Sequence, residues 1–303
     1  MATAKVYITE WTRNLVSIRA LASLLSSFGS LFLLVKMTDF FFKNISPQIQ
    51  RFWWVFFLIG IAVALFMCRP KLITSCKLKR RDVEIEIVVG DLFKQEGALV
   101  IGTNTTFDTK ISRNLISDKS VQGQFTKKFF GDEAQLDVQI ENSLTGLAYD
   151  KLPGDREGKN KQYPIGTVAK INIQHMTAFL VSIAHINRHG TASGTFDELK
   201  MALANLWVFI GDRGTKGNIV IPVLGSGFSR LVNTREEIVR EIIQSFVAAC
   251  TSKVLCDKLT IVLSSRDITT HNISIDELSK YLRHICTYTE FSSKGQPVGQ
   301  PAD

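Results

Sequence analysis

The chain carries an uninterrupted apolar run, "FWWVFFLIGIAVALFMC", at residues 52–68. This run has no charge over 17 positions, at the short end of the length that crosses about 30 Å of hydrocarbon as a helix. Trp53 and Trp54 stand at its start, where aromatic rings suit the interface between lipid and water. We therefore predict a transmembrane helix here, and no other feature constrains the fold as strongly.

A less pure apolar run, "LVSIRALASLLSSFGSLFLLV", lies upstream at residues 15–35. Its charge, Arg19, is close to its start, where a long side chain can reach the lipid headgroups. A cleaved signal peptide is the alternative interpretation, but "KMTDFFF" does not resemble an A-x-A-like cleavage site. The two runs are close in sequence, so we predict a hairpin of two transmembrane helices within residues 1–81.

Charge is distributed unevenly along the chain. Residues 1–81 contain 12 Lys or Arg and two acids, whereas the remainder contains 24 basic and 26 acidic residues. A nucleic-acid-binding protein carries its basic patch on the folded domain, so this distribution argues against nucleic acid as a partner. The second run is followed by Arg69, Lys71, Lys77, Lys79, Arg80 and Arg81. By the positive-inside rule, we expect a multi-pass protein of the inner membrane with both termini and the folded domain in the cytoplasm.

Small residues recur at four-residue spacing in both runs. Ala22, Ser26 and Ser30 share one helix face, as do Gly60 and Ala64. Such faces let transmembrane helices approach closely, either within one hairpin or between chains that form a homo-oligomer. The sequence leaves both interpretations open.

The cysteines do not suggest a structural framework. There are five of them, and none stands in a C-x-x-C pair; they are Cys68, Cys76, Cys250, Cys256 and Cys286. An odd number with this spacing argues against both a disulfide framework and a zinc site. We predict no metal, and reduced thiols fit a cytoplasmic domain.

From Asp82 onward, short β-rich runs alternate with amphipathic helical patterns. The strand-like runs are "VEIEIVVG", "GALVIGTN", "GTVAKINI", "AFLVSIAH", "NIVIPVLG" and "KLTIVLSS". Thr234 and Glu237 form a T-x-x-E capping box, and Ser274 and Glu277 stand in the same relation. This alternation predicts a three-layer α/β domain over residues 82–286. We predict that the polar tail at residues 287–303 is disordered.

Three turns follow predicted strands, at the edge where ligands of α/β domains collect. They are Gly90-Asp91, "GTNTTFD" at residues 102–108 and "GSGF" at residues 225–228. Each by itself is compatible with an ordinary turn. The common nucleotide-binding fingerprints G-x-x-x-x-G-K-[ST] and G-x-G-x-x-G are absent from the sequence.

The order and spacing of several phrases resemble a macro domain, the ADP-ribose-binding α/β/α fold with a mixed sheet. The phrases are "VVGDLF", "GALVIGTNTTFD", "SVQGQF", "YPIGTVAKI", "FLVSIAH" and "NIVIPVLGSGF". With its two apolar runs, the chain resembles the membrane-anchored macro-domain effectors of Thoeris antiphage defence systems. This resemblance implies that the macro domain senses an ADP-ribose derivative, reported as a histidine conjugate, which a TIR-domain partner makes from NAD. It also implies oligomerisation and disruption of the bilayer by the hairpin.

The resemblance assigns ligand-binding roles to individual residues. Asp91 would accept a hydrogen bond from the adenine amino group beside the Leu92 N–H, and Asn104 would lie near the distal ribose. The first phosphate loop would consist of Ser120, Val121, Gln122 and Gly123. The second, whose N–H groups would hold the pyrophosphate, would consist of Gly225, Ser226, Gly227 and Phe228, with Phe228 against the distal ribose.

The chain departs from the family pattern at two places. A hydrolytic macro domain usually has a run of glycines in its first loop, where this chain has Gly123 alone, so we expect no enzymatic activity and no cofactor. The aromatic residue that often stacks on adenine is missing, and Ser264 and Ser265 occupy that neighbourhood. Arg230 would pair with phosphate or remain solvated. A membrane-tethered ADP-ribosyl hydrolase and an ADP-ribose-binding scaffold are the alternative functions.

Overall fold

The computed structural model describes residues 2–41, 53–79, 81–111, 115–152, 158–174, 176–186, 192–213, 217–225 and 233–289. These residues fall into two compact units. The first comprises Met1–Leu72 with Ile268–Thr270, and the second comprises the rest of the chain. The predicted disordered tail lies outside the described residues from residue 290 onward.

The first unit contains three helices among the described residues: α1 (Ala2–Leu15), α2 (Ile18–Phe41) and α3 (Trp53–Met67). Within α2, the 22 residues of Ala20–Phe41 are long and apolar enough to cross a membrane. The described part of α3 is also apolar but has 15 residues. One membrane-spanning helix is thus supported by length and composition in the described part of the chain, and the two-helix hairpin stays a prediction.

The first apolar run begins and ends later than its composition indicates. The predicted span was residues 15–35, but Leu15 ends α1 and the next helix continues to Phe41. Ser17 makes the break, because its hydroxyl donates to Asn14 O at 2.6 Å and accepts from Ala20 N at 3.3 Å. A serine that caps the following helix in this way ends the preceding one. The separate helix α1 was not predicted.

α2 and α3 pack against each other. The rings of Phe28 and Phe57 lie 5.6 Å apart, and a Cβ added to Gly60 would meet the Phe28 ring at 2.7 Å. Ala64 is also buried. By contrast, the small residues on the predicted face of α2 are exposed, namely Ala22, Ser26 and Ser30. The small face of α3 therefore serves packing within the chain, whereas the small residues of α2 are exposed in the part of the chain that the structure describes.

The second unit is built on a mixed sheet, as predicted. Its strands are β1 (Ile73–Lys77), β2 (Glu84–Val89), β3 (Ala98–Asn104), β4 (Asp150–Lys151), β5 (Lys161–Gln162), β6 (Val168–Ile173), β7 (Met176–Ile186), β8 (Ala192–Ser193), β9 (Asn218–Pro222) and β10 (Lys258–Leu263). The main order is β1-β2-β10-β9-β3-β7-β6, with β8 beside β7 and a separate β4-β5 ribbon. The strands from β2 to β7 in that order are parallel, and β1 and β6 are antiparallel to their neighbours.

The sheet begins nine residues before the domain start predicted at Asp82, because the edge strand β1 starts at Ile73. Its residues alternate between exposed and half-buried, and Thr74 Oγ1 lies 2.9 Å from Ser279 Oγ. Lys77, one of the basic residues that follow the second apolar run, is exposed on this strand. Charged edge strands resist pairing with other chains, so this lysine has a structural role besides its expected effect on topology.

Helices cover both faces of the sheet. They are α4 (Val121–Phe129), α5 (Glu133–Ser143), α6 (Phe196–Arg213), α7 (Arg235–Ser252), the short α8 (Ser265–Thr269) and α9 (Ile275–Tyr288). On one face, Ile101 packs in a cluster with Phe125 and Leu136 from α4 and α5. On the other, Phe179 lies 6.1 Å from Phe209 of α6, measured between ring centroids. The result is the predicted three-layer domain, and the capping box of Thr234 and Glu237 begins α7 as expected.

The packing of α2 against α3 can be tested with two glycines. We expect Gly60→Val to destabilise the first unit by about 1–3 kcal/mol, because its side chain would collide with the Phe28 ring. Gly29→Val is the matched control, since a Cβ there meets nothing within 4 Å. The measurement is thermal unfolding of the full chain in detergent. Equal destabilisation by both substitutions would contradict this packing.

Candidate functional site

The carboxyl ends of the parallel strands meet at one cleft of about 1440 Å³. β2, β10, β9, β3 and β7 are parallel, so their carboxyl ends share an edge of the sheet, which is where α/β domains bind ligands. The residues that line the cleft at these ends include Asp91, Asn104, Ile186, Gly225 and Ser264. The topology therefore brings together residues that are far apart in the sequence.

Asp91 lies at the rim of this cleft, where a short turn holds it. Its Oδ1 accepts from Phe93 N at 2.9 Å and so caps the 3-10 turn Leu92–Lys94. Among the described residues, no partner is found for Oδ2, and the side chain is exposed. Leu92 is buried beneath it. The arrangement leaves one carboxylate oxygen available to a donor on a ligand.

The loop after β3 folds around a buried carboxylate, that of Asp108. Its Oδ2 accepts from Thr106 Oγ1 at 2.6 Å and from Asn104 Nδ2 at 3.1 Å, and its Oδ1 accepts from Lys159 N at 2.8 Å. Asn104 Oδ1 in turn accepts from Asp108 N at 3.1 Å. Because both ends of the Asn104 amide are used within the loop, its contribution here is to shape the cleft wall. Its predicted contact with a ribose stays a prediction.

Phe107, in the same loop, adopts an unusual backbone conformation. Its φ is +52°, in the left-handed region that a bulky residue rarely occupies. The side chain is fully buried, with its ring 5.8 Å from that of Tyr163. Tyr163 N also donates to Thr105 O at 2.8 Å. Burial of the two rings and this hydrogen bond hold the loop in a single shape despite the strain.

The amino terminus of α4 faces the same cleft. Ser120 caps the helix, since its Oγ accepts from Gly123 N at 3.0 Å. The N–H groups of Val121 and Gln122 belong to the first turn, where the helix itself supplies no acceptor. Gln122 Nε2 donates to Asp108 O at 2.7 Å and so fastens the helix to the loop after β3. The helix therefore presents backbone donors and the positive end of its dipole to the cleft.

Gly123 has a different role from the one that its place in a phosphate loop suggests. Its N–H is already used by Ser120, and it does not line the cleft. A Cβ at this position would lie 2.2 Å from the carbonyl oxygen of Ser117. The glycine is therefore required because the helix and the preceding segment approach each other closely.

In the second predicted phosphate loop, the structure describes one residue, Gly225. It lines the cleft, and its φ of +67° is a conformation that favours glycine. Ser226, Gly227 and Phe228 lie outside the described residues, as does Arg230, so their assignments stay predictions.

Comparison with known proteins identifies the family. The sequence model of the family "Thoeris protein ThsA, Macro domain" matches residues 85–264. The chain belongs to this family. Thoeris protein ThsA from Bacillus amyloliquefaciens (strain Y2) is 27% identical over 186 residues, which cover 58% of this chain and 61% of that protein. The chain thus matches less than two thirds of the length of this curated relative.

Two solved macrodomain structures from Oceanobacillus iheyensis show a weaker similarity to the macro domain. The structure with MES bound has 16% identity and a TM-score of 0.46, covering 70% of this chain and 98% of its own. The structure with ADP has 15% identity and a TM-score of 0.45, covering 72% and 97%. The family assignment rests on the sequence match.

The macro domain also brings to the cleft residues that the sequence did not single out. Arg235 and Asp267 form an ion pair on its wall, and Asp267 Oδ2 accepts from both the N–H and the hydroxyl of Ser264. Ser264, which the sequence analysis placed near the adenine, has the S-x-x-D spacing of a helix start with Asp267, so the rule that identified Thr234 could have found Asp267. Thr103 lines the cleft with a buried hydroxyl that has no partner in the described structure. No sequence signal distinguishes this threonine.

Two buried cysteine thiols of the macro domain, those of Cys250 and Cys286, are poor nucleophiles. Burial raises the pKa of Cys250 to about 11 and that of Cys286 to about 12, so both remain protonated at neutral pH. No His or Cys is found among the described residues that line the cleft, and no metal-binding cluster is found in the described part of the chain. What the cleft offers is a carboxylate, backbone donors and cations, which are groups suited to holding a nucleotide.

The close approach at Gly123 predicts that replacing this helical glycine by alanine lowers the stability of the domain. Helix propensity alone would make Gly123→Ala stabilising by up to about 1 kcal/mol. We expect it instead to destabilise the domain by about 1–3 kcal/mol, because the Ser117 carbonyl must move. Gly131→Ala serves as the control, since a Cβ there meets nothing within 4 Å. Thermal unfolding compares the two, and a stabilised Gly123→Ala protein would contradict the geometry.

Proposed function

We propose that this chain is an antiviral defence effector of a Thoeris system, and that its macro domain binds an ADP-ribose derivative. Membership of the ThsA macro-domain family supports the system and the class of ligand. The observation that carries the proposal is that the Asp91 carboxylate and the amino terminus of α4 face one cleft. A nucleoside diphosphate needs an acceptor for its base and donors for its phosphates, and this cleft has both.

The groups of the cleft would contact two parts of the proposed ligand, the base and the pyrophosphate. Asp91 would accept from the adenine amino group beside the Leu92 N–H. The N–H groups of Val121 and Gln122, together with the turn at Gly225, would hold the pyrophosphate. Two lysines, Lys119 and Lys127, also line the cleft, and Lys127 is paired with Asp118 at 3.2 Å. We propose that the ligand is a signal and not a cofactor.

We propose that the signal is derived from NAD by a TIR-domain protein, with a histidine conjugate of ADP-ribose as the specific form. The TIR-domain protein would then act on this chain through its product and not through direct contact. The macro domain would lie in the cytoplasm, where NAD and the product are found, and α2 and α3 would cross the inner membrane as a hairpin.

Ligand binding would drive self-association of the chains and damage to the bilayer. A ligand can favour the associated state only by binding it more tightly than the free state. On α2, the exposed positions of Ala22 and Ser26 support this proposal, because small residues that do not pack within the chain are open to a helix from another chain.

The role of Asp91 predicts a specific loss of base recognition. Asp91→Ala should weaken ADP-ribose binding about ten- to a hundred-fold, because it removes a charge-assisted hydrogen bond worth roughly 1.5–3 kcal/mol. An analogue with hypoxanthine in place of adenine lacks the amino group. We expect calorimetry to show that the wild-type chain prefers adenine and that Asp91→Ala has lost this preference.

Asp118→Ala is the matched control for this experiment, because Asp118 is another acid of the cleft and is paired with Lys127. It should keep the preference for adenine. If Asp91→Ala weakens both ligands equally, Asp91 does not read the base. Release of free ADP-ribose from a conjugate during the titration would favour the hydrolase alternative, and binding without any effect on membranes would favour the scaffold.

The membrane step predicts that bulky residues on the small face of α2 abolish activity. Ala22→Leu with Ser26→Leu should stop ligand-triggered dye leakage from liposomes and leave ADP-ribose affinity unchanged. Ala62→Leu, at an exposed alanine of α3, is the control, and this variant should cause the same dye leakage as the wild type. Sedimentation in detergent should show ligand-dependent association that the double substitution removes. Leakage without a change in oligomeric state would refute the association step.

A further inference from the structure

The guanidinium of Arg266 has no role in the fold that the described contacts reveal. Arg266 lines the cleft and is exposed. Within the described structure, its side chain makes no hydrogen bond and no ion pair. The neighbouring carboxylate of Asp267 is engaged by other residues, since it accepts from Arg235 through Oδ1 and from Ser264 through Oδ2. A planar cation is therefore held at the rim of the site without a partner.

The sheet places this cation next to Asp91. β2 and β10 are parallel neighbours, with Val89 paired to Leu263, and Gly90 N donates to Leu263 O at 2.9 Å. Asp91 lies two positions after Val89, and Arg266 lies three positions after Leu263. Both therefore lie at the same edge of the sheet. Asp91 and Arg266 therefore follow the ends of neighbouring strands and line the same cleft, so a base that reaches the Asp91 carboxylate is close to the turn that carries Arg266.

A flat group against its face stabilises a bound base, and aromatic rings and guanidinium groups stack best. Among the described lining residues, the planar side chains that could serve are those of Phe93, Arg235 and Arg266. The Phe93 ring packs 5.9 Å from the Phe129 ring and lies under the Lys128 ammonium at 5.3 Å. Arg235 is fixed in its ion pair with Asp267. Of these three side chains, Arg266 is the one without a hydrogen bond, ion pair or ring contact in the described structure, and a guanidinium stacks well on the plane of a base.

We propose that Arg266 determines specificity for a purine nucleotide by stacking its guanidinium on the face of the base that Asp91 reads. This inference rests on the proposed function. It also accounts for the lack of an aromatic residue at Ser264 and Ser265, because the platform is supplied by the residue that follows them. The proposal depends on the flat face of the guanidinium and not on its charge.

The test compares three substitutions of Arg266 in the full chain in detergent, with calorimetry against ADP-ribose. Stacking predicts that Arg266→Ala and Arg266→Lys each lose about ten-fold in affinity, whereas Arg266→Tyr, which keeps a flat group, stays within about three-fold of the wild type. Inorganic pyrophosphate, which has no base, should bind all four proteins equally. Arg213→Ala, at an exposed arginine in α6 outside the cleft, is the control.

The outcomes separate this inference from the proposed function. If the wild-type chain does not bind ADP-ribose, the proposed function fails and this inference fails with it. If the wild-type chain binds and Arg266→Ala binds equally well, the inference alone is overturned. Full affinity in Arg266→Lys with a loss in Arg266→Tyr would overturn it as well, because that pattern indicates contact with phosphate. Thermal unfolding of each variant shows that the domain remains folded.

Discussion

The parallel pairing of β2, β10, β9, β3 and β7 determines where this domain can bind a ligand. Parallel strands place all their carboxyl ends at one edge, and each crossing helix must begin there or nearby. Asp91, the loop after β3, Gly225 and Ser264 are therefore gathered at one cleft although they span more than half of the chain. The antiparallel strands β1 and β6 close the two sides of the sheet without adding to that edge.

The wall of the cleft depends on buried polar groups that hold one another in place. Asp108 is almost completely buried, and a buried carboxylate is tolerated only when its oxygens receive hydrogen bonds. Thr106, Asn104 and the Lys159 N–H supply them, and Gln122 connects the same loop to α4. The loop and the helix are thus one rigid piece. A piece of this kind keeps backbone donors in position before a ligand arrives, which reduces the ordering that binding requires.

Much of the fold follows from patterns in the sequence, because its strands are apolar runs of ordinary length and its helices have normal start signals. All six predicted strand runs correspond to strands, and the Thr234 capping box is present. The edge strand β1 was not predicted. Lys77 lies in it, and this lysine was interpreted as part of the basic flank of the second apolar run. Helix α1 was not predicted, because in the sequence Ser17 is one of several small residues in the first apolar run. In the structure its hydroxyl caps the next helix and so separates the two helices.

The site was less predictable than the fold, for a physical reason. A motif shows which residues are near a ligand, but not which polar groups are already satisfied by the protein. Asn104, Gln122 and Gly123 stand at family positions, yet their amides and the Gly123 N–H are engaged in the loop and the cap. Arg266 shows the converse, since no motif indicates it and only the engagement of Asp267 and Phe93 by other residues draws attention to it.

The charge of the chain places a further demand on the cleft. Residues 82–303 contain 24 basic and 26 acidic residues, so this part of the chain has no net positive charge to attract an anion. Attraction must then come from groups within a few ångströms, namely the N–H groups at the start of α4 and the cations at the rim. Such groups act over short distances in a partly enclosed site, where salt screens them less than it screens surface charges. In the proposed arrangement, the basic excess of residues 1–81 would act at the membrane instead, so the two parts of the chain would use charge for different purposes.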